Sequence, residues 1–252
     1  MAVGFNYWPM IIMRISPLAI FSLGWQGLFR VVALCLWLGG TCLLAEDAAK
    51  TAPGDLVPLK PKLPAPAFVG TPKDIPAGAN VEKASDKPTG PLLIPKDAKN
   101  VAPGAKLSAS DGKKPEELAK ITDGVKEADD ANLVLLRKGP QFVQFDLGGA
   151  HEIFAIVIWH AHDTPKVYHS VVAQVADDAD FTANVRTLFN NDLANAAGRG
   201  IGADREYFET YEGKTIDAKG AKARYLRLYS KGSTDSSLNE YTEVEIYGRP
   251  MK

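Results

Sequence analysis

The tetrad Trp159-His160-Ala161-His162 and the residues just after it hold the densest set of chemically able side chains in the sequence. At the end of a strand, His160 and His162 share one face, because side chains alternate with a period of two. Two imidazoles with Asp163 or His169 beside them would suit a transition metal such as zinc. The stretch Trp159–Tyr168 also combines an aromatic face with Asp163 and Lys166. That mixture suits a sugar, which stacks a flat apolar face and is oriented by a few convergent polar groups. The competing assignment places Trp159 in the core and leaves the histidines to finish the strand. Trp159, His160, His162 and Tyr168 are therefore candidate ligand residues. Arg199 joins them from the loop Gly198-Arg199-Gly200-Ile201-Gly202, since long loops on a rigid scaffold carry binding residues.

Enzyme chemistry finds little support. The glycine loop around Arg199 does not lead from a strand into a helix, and no Lys-Ser/Thr follows it, so it is not a nucleotide loop. His151-Glu152 is followed by Ile153-Phe154-Ala155 and lacks the second histidine of a zinc protease, and there is no Gly-x-Ser-x-Gly elbow. Carboxylates are plentiful, but no spacing marks an acid/base pair. The chain reads as a non-enzyme.

The 252 residues divide into three textures. Residues 1–45 contain no acid, only Arg14 and Arg30 as charges, and three of the four Trp. Within them Val31–Ala45 has the length of a signal-peptide apolar core and is short of the roughly 20 residues of a membrane span. This segment predicts export to the periplasm, cell surface or exterior, either as a cleaved signal peptide or as an N-terminal anchor, the chain's one route to a membrane. Cys35 and Cys42 both lie in it, so the remainder has no disulfide. Setting Arg14 and Arg30 aside leaves 27 basic against 30 acidic residues, a balance of −3, with no concentrated basic face for nucleic acid. Residues 46–99 are rich in Pro, Ala and Lys: Thr51–Asn100 holds ten of the 17 prolines and one aromatic, Phe68. Such a stretch predicts a disordered, extended linker.

Residues 100–252 read as an all-β domain. Short strands are expected at Ala105–Ser110, Leu133–Leu136, Gln141–Leu147, Glu152–His160, Tyr168–Val175, Tyr207–Tyr211, Lys222–Tyr229 and Tyr241–Tyr247, with one helical turn at Pro115–Ile121. Gly148-Gly149 predicts a hairpin turn between the third and fourth. In Glu152–Trp159 both parities are apolar, Phe154, Ile156 and Ile158 on one face and Ile153, Val157 and Trp159 on the other. That strand should be central and covered on both sides. Strands at this spacing argue for an antiparallel β-sandwich.

Four elements in order, Thr122-Asp123-Gly124, Val143-Gln144-Phe145-Asp146-Leu147-Gly148, Ala223-Arg224-Tyr225-Leu226-Arg227-Leu228 and Glu243-Val244-Glu245-Ile246-Tyr247-Gly248, resemble the discoidin domain, or coagulation factor V/VIII type C domain. The resemblance implies a galactose-binding-like jelly roll that binds rather than catalyses, with a structural calcium as its one cofactor. Asp123 and Glu243 match the family's calcium positions. The family's Thr is Ala128 here, and Asp130 replaces its Trp, so Asp129 and Asp130 stand in as oxygen donors. Sugar-binding relatives read Tyr-x-Pro-Arg where the central strand ends. Trp159 takes the Tyr position here and His162 the Arg position. Together these imply an exported module that recognises a glycan in or near the cell envelope. The alternative is an adaptor that uses the same loops to hold a surface protein.

Overall fold

Residues 55–68, 80–82 and 90–251 are described by the computed structural model, so the apolar segment Val31–Ala45 and its expected export role lie outside them. Two long strands organise the rest. β6 (Gln141–His160) and β11 (Lys214–Ser230) run antiparallel, paired from Gln141↔Ser230 to Ile158↔Lys214. β4 (Lys106–Ala109) adds to the first half of β6, while β8 (Val172–Ala176) and then β9 (Arg186–Asn190) add to the second half of β11. β12 (Asn239–Pro250) pairs with the other half of β6 and carries β5 (Val134–Leu136) and β3 (Lys99–Asn100) on its outer edge. The two long strands thus pass from one layer of an antiparallel β-sandwich into the other. Ile153, Ile156 and Ile158 meet Val143, Phe145, Val175, Leu226 and Leu228 in the main core. The expected helical turn forms as α1 (Pro115–Leu118) with a following 3-10 turn. Pro stands at its start, two acids lie in its first turn, and Leu118 and Ile121 enter the core.

The expected hairpin at Gly148-Gly149 does not form. β6 continues through both glycines because β11 pairs with its two halves, so the chain bends and does not reverse. Gly148 takes φ +78 and its N–H donates to Asp146 Oδ1 at 2.9 Å. Opposite, β11 breaks register between Ala223 and Tyr225, which pair with His151 and Asp146, and a second break between Asp217 and Ala221, with Lys219 at φ 52 and Gly220 at φ 73, faces Phe154.

The second half of β6 is covered on both faces, as its composition predicts, but not with the predicted parity. Tyr247 pairs with Ala155 and Gly248 with Ile153, so Phe154 is an extra residue in a bulge. Ile153 consequently joins Ile156 and Ile158, and Phe154 packs with Ala155, Val157 and Trp159 on the outer face.

That outer face is closed by part of the expected linker. β1 (Leu56–Pro58) pairs with β2 (Leu93–Pro95), and Leu59 and Ile94 bury against Ala155, Val157 and Trp159. A two-stranded ribbon tolerates proline because its outward positions need no donor. The described parts of 46–99 therefore include a paired and packed ribbon where a free spacer was expected.

Candidate functional site

The candidates at the end of β6 are interior residues. Trp159 is fully buried and its Nε1 donates to the Tyr211 carbonyl at 2.9 Å. His160, also fully buried, sets Nδ1 3.0 Å from Glu209 Oε2 and stacks on Tyr168 with ring centroids 4.1 Å apart. Tyr168 donates to Glu240 Oε2 at 2.7 Å. His162 places Nε2 2.7 Å from the Lys126 carbonyl. The two imidazoles do not converge, because β6 ends at His160 and strand alternation ends with it. A ribbon of β7 (Lys166–Val167) and β10 (Phe208–Glu209) brings Glu209 to His160 instead. His169 pairs elsewhere, so among the described residues no zinc set forms, and the side chains of this edge are part of the core. Arg199 is exposed, its guanidinium 5.3 Å from the Tyr229 ring centroid.

The calcium candidates do not assemble a cation cage. Asp123 Oδ1 accepts its own turn's Val125 N–H at 2.9 Å, and Asp129 Oδ1 accepts from Ala131 and Asn132. Asp129 and Asp130 are both exposed. Glu243 is buried, and its Oε2 accepts the Gly124 N–H at 3.1 Å. Among the described residues no three His, Cys, Asp or Glu side chains come together as metal ligands. The donor set does not fit the ion: a hard cation asks for six to eight converging oxygens, whereas Asp123, Asp129 and Glu243 are separately engaged with backbone amides.

A cleft lies at a different place. His169, Ser170, Asn191, Leu193, Ala194, Glu206 and Lys231 line a cleft of about 280 Å³. His169 lies beside the last turns of β11, exchanging backbone bonds with Lys231 and Gly232. Its Nδ1 sits 2.8 Å from Glu206 Oε1, so in the neutral tautomer Nδ1–H donates and Nε2 is left as an acceptor. Asn191 Oδ1 accepts from the Val171 N–H at 2.6 Å, and its buried Nδ2 has no acceptor. Leu193 and Ala194 supply an apolar wall, and Leu193 is half exposed at 50%. Their loop is tightly tied: Asp192 accepts from Ala196 and Ala197, and Asn190 Nδ2 donates to the Gly200 carbonyl.

Part of the expected linker also braces this cleft. The Glu206 N–H donates to the Asn80 carbonyl at 3.1 Å, and the Glu82 N–H donates to the Glu206 carbonyl at 2.7 Å. Val81 is buried between them, and Glu82 reaches Lys214 at 2.7 Å. Glu206 is thus gripped from both sides of its own peptide. Sequence reasoning reached His169 only as a spare metal ligand, and it pointed to the loop of Arg199. It missed Asn191, Glu206 and Lys231, which come from separate chain regions with no shared spacing.

The described residues form an antiparallel β-sandwich with this cleft on its surface. No family model and no curated protein matches the sequence. Among solved structures the chain is similar to a family 89 glycoside hydrolase of Clostridium perfringens, at 15% identity and a TM-score of 0.42 over 60% of this chain. It spans only 15% of that enzyme's length. It is similar as well to a fucose binding module of Streptococcus pneumoniae, at 16% identity and TM-score 0.40, covering 59% of this chain and 97% of that one. A chitosan-binding module of a Paenibacillus chitosanase/glucanase matches at 20% identity and TM-score 0.40, covering 60% and 99%.

Proposed function

We propose that this chain is an exported, non-catalytic carbohydrate-binding module whose ligand lies in the cleft of His169, Asn191, Glu206 and Lys231. The observation that carries the reading is the orientation of His169 by Glu206 at 2.8 Å beside the unpaired Asn191 amide. The His169 Nε2 acceptor of that tautomer and the buried Asn191 amide belong to one cleft lined also by Lys231 and Leu193. A sugar hydroxyl both donates and accepts, and the C–H face of a sugar ring seeks an apolar surface. The discoidin-like order of the four sequence elements supports sugar as the ligand class. The apolar stretch Val31–Ala45 supports export.

The test is a titration of the protein against a panel of mono- and oligosaccharides, followed by His169→Ala, Glu206→Gln and Lys231→Met. Each substitution should weaken the best ligand by roughly 1–3 kcal/mol with little change in Tm. Variants that bind every glycan like the parent would move the site elsewhere. A panel with no binder, while a surface protein is captured, would favour the adaptor reading.

A further inference from the structure

Glu243 and Glu245 stand two residues apart on β12 and therefore on one face, where both are buried, at 1% and 7% exposure. A carboxylate out of water needs a compensating positive charge, the more so with a second carboxyl group on the same face. The loop after α1 supplies it. Lys126 is itself buried, at 5%, and its Nζ lies 2.8 Å from Glu245 Oε1 and 4.9 Å from the centre of the Trp159 ring. The second Glu245 oxygen accepts from the Tyr247 hydroxyl at 2.7 Å, and Glu243 takes the Gly124 N–H. The Lys126 carbonyl is bonded in turn by His162 at 2.7 Å. Lys126, Gly124 and His162 tie the loop Asp123–Lys126 to β12 and to the end of β6. That is the span a calcium ion would bridge if the discoidin-like loop worked as the resemblance implies.

We propose that Lys126 is a built-in cation that replaces a metal at this position, so the fold is closed by an internal ammonium and draws no stability from calcium. An ammonium has three donors on a compact point charge, and it satisfies a carboxylate and an aromatic face at once. A single positive charge also matches what the site demands, since Glu243 has a backbone donor of its own. The proposal concerns the architecture of the loop and is independent of what the cleft binds.

Thermal unfolding of the full protein, in chelator and in excess calcium, tests it together with Lys126→Met. Wild type should melt at the same temperature in both conditions. Lys126→Met, which keeps the stem and removes the charge, should lower Tm by roughly 10 °C in chelator. Calcium should then recover part of that loss, because the buried Glu245 carboxylate is left without its counter-charge beside a second carboxyl group, Glu243. If the variant does not fold in chelator, its recovery of a folded circular dichroism spectrum in calcium is the same readout. A wild-type Tm that calcium raises would overturn the proposal, as would a Lys126→Met variant as stable as wild type. A loss that calcium leaves untouched would also overturn it and make Lys126 an ordinary packed side chain.

Discussion

Gly213 lies directly beneath the indole of Trp159. A Cβ built there would meet Trp159 Cε2 at 2.7 Å, and the glycine holds φ +70. The indole cannot retreat, since its Nε1 is bonded to the Tyr211 carbonyl two residues before the glycine. Gly213→Ala should therefore destabilise the protein by roughly 2–4 kcal/mol, from overpacking and from a strained backbone together. Urea unfolding measures it, and a loss within experimental error would show that the ring has room to move.

His162→Ala separates core from site. The substitution removes the partner of the buried Lys126 carbonyl and should lower stability by roughly 1–3 kcal/mol. Glycan affinity at the cleft should stay as in the parent. A variant that keeps its stability and loses its ligand would return the end of β6 to the binding surface.

Glu243 should make stability depend on pH. Burial pushes its carboxyl up to about 8, while the Gly124 amide and Lys126 pull it down. The native state then holds a proton that the unfolded chain releases above the ordinary value of 4.5. Stability from this group is present at low pH and is lost as pH rises from there towards 8, by at most about 1.4 kcal/mol per pH unit. Glu243→Gln keeps an acceptor for Gly124 and carries no proton to release, so its unfolding midpoint should lack this slope. Equal slopes in the two proteins would mean that Glu243 is ionised throughout.

The segment Asn80–Glu82 should act on binding through position alone. Val81→Asp places a charge in its buried seat and should free the Glu206 peptide. Amide exchange at Glu206 should accelerate, and glycan affinity should fall about tenfold, roughly 1.4 kcal/mol. Unchanged exchange at Glu206 would show that the segment does not hold the cleft.

Much of the sandwich was legible because its signals are local. The alternation of Gln141–Leu147, the two-sided apolar run of Glu152–Trp159 and the Pro-Glu-Glu start of α1 each depend on neighbours within a few residues. The hairpin at Gly148-Gly149 was misread for the complementary reason. Two glycines permit a reversal or a bend equally, and only the pairing of β11 along both halves of β6 chose the bend. The swapped faces of Ile153 and Phe154 follow likewise from a bulge against β12.

The sequence by itself determined an all-β domain and its covered central strand, since the periodicity of apolar residues reports directly on burial. Tertiary structure alone decided which polar groups pair inside the core and which line a cleft. Trp159, His160 and His162 are held by Tyr211, Glu209 and Lys126, while His169, Asn191 and Glu206 meet in a cleft braced by residues 80–82. The reason is sequence separation: Lys126 and Glu245 lie 119 residues apart and His169 and Glu206 lie 37 apart, distances over which no spacing rule operates. A side chain becomes a site only when its partners are counted, and those partners arrive with the fold.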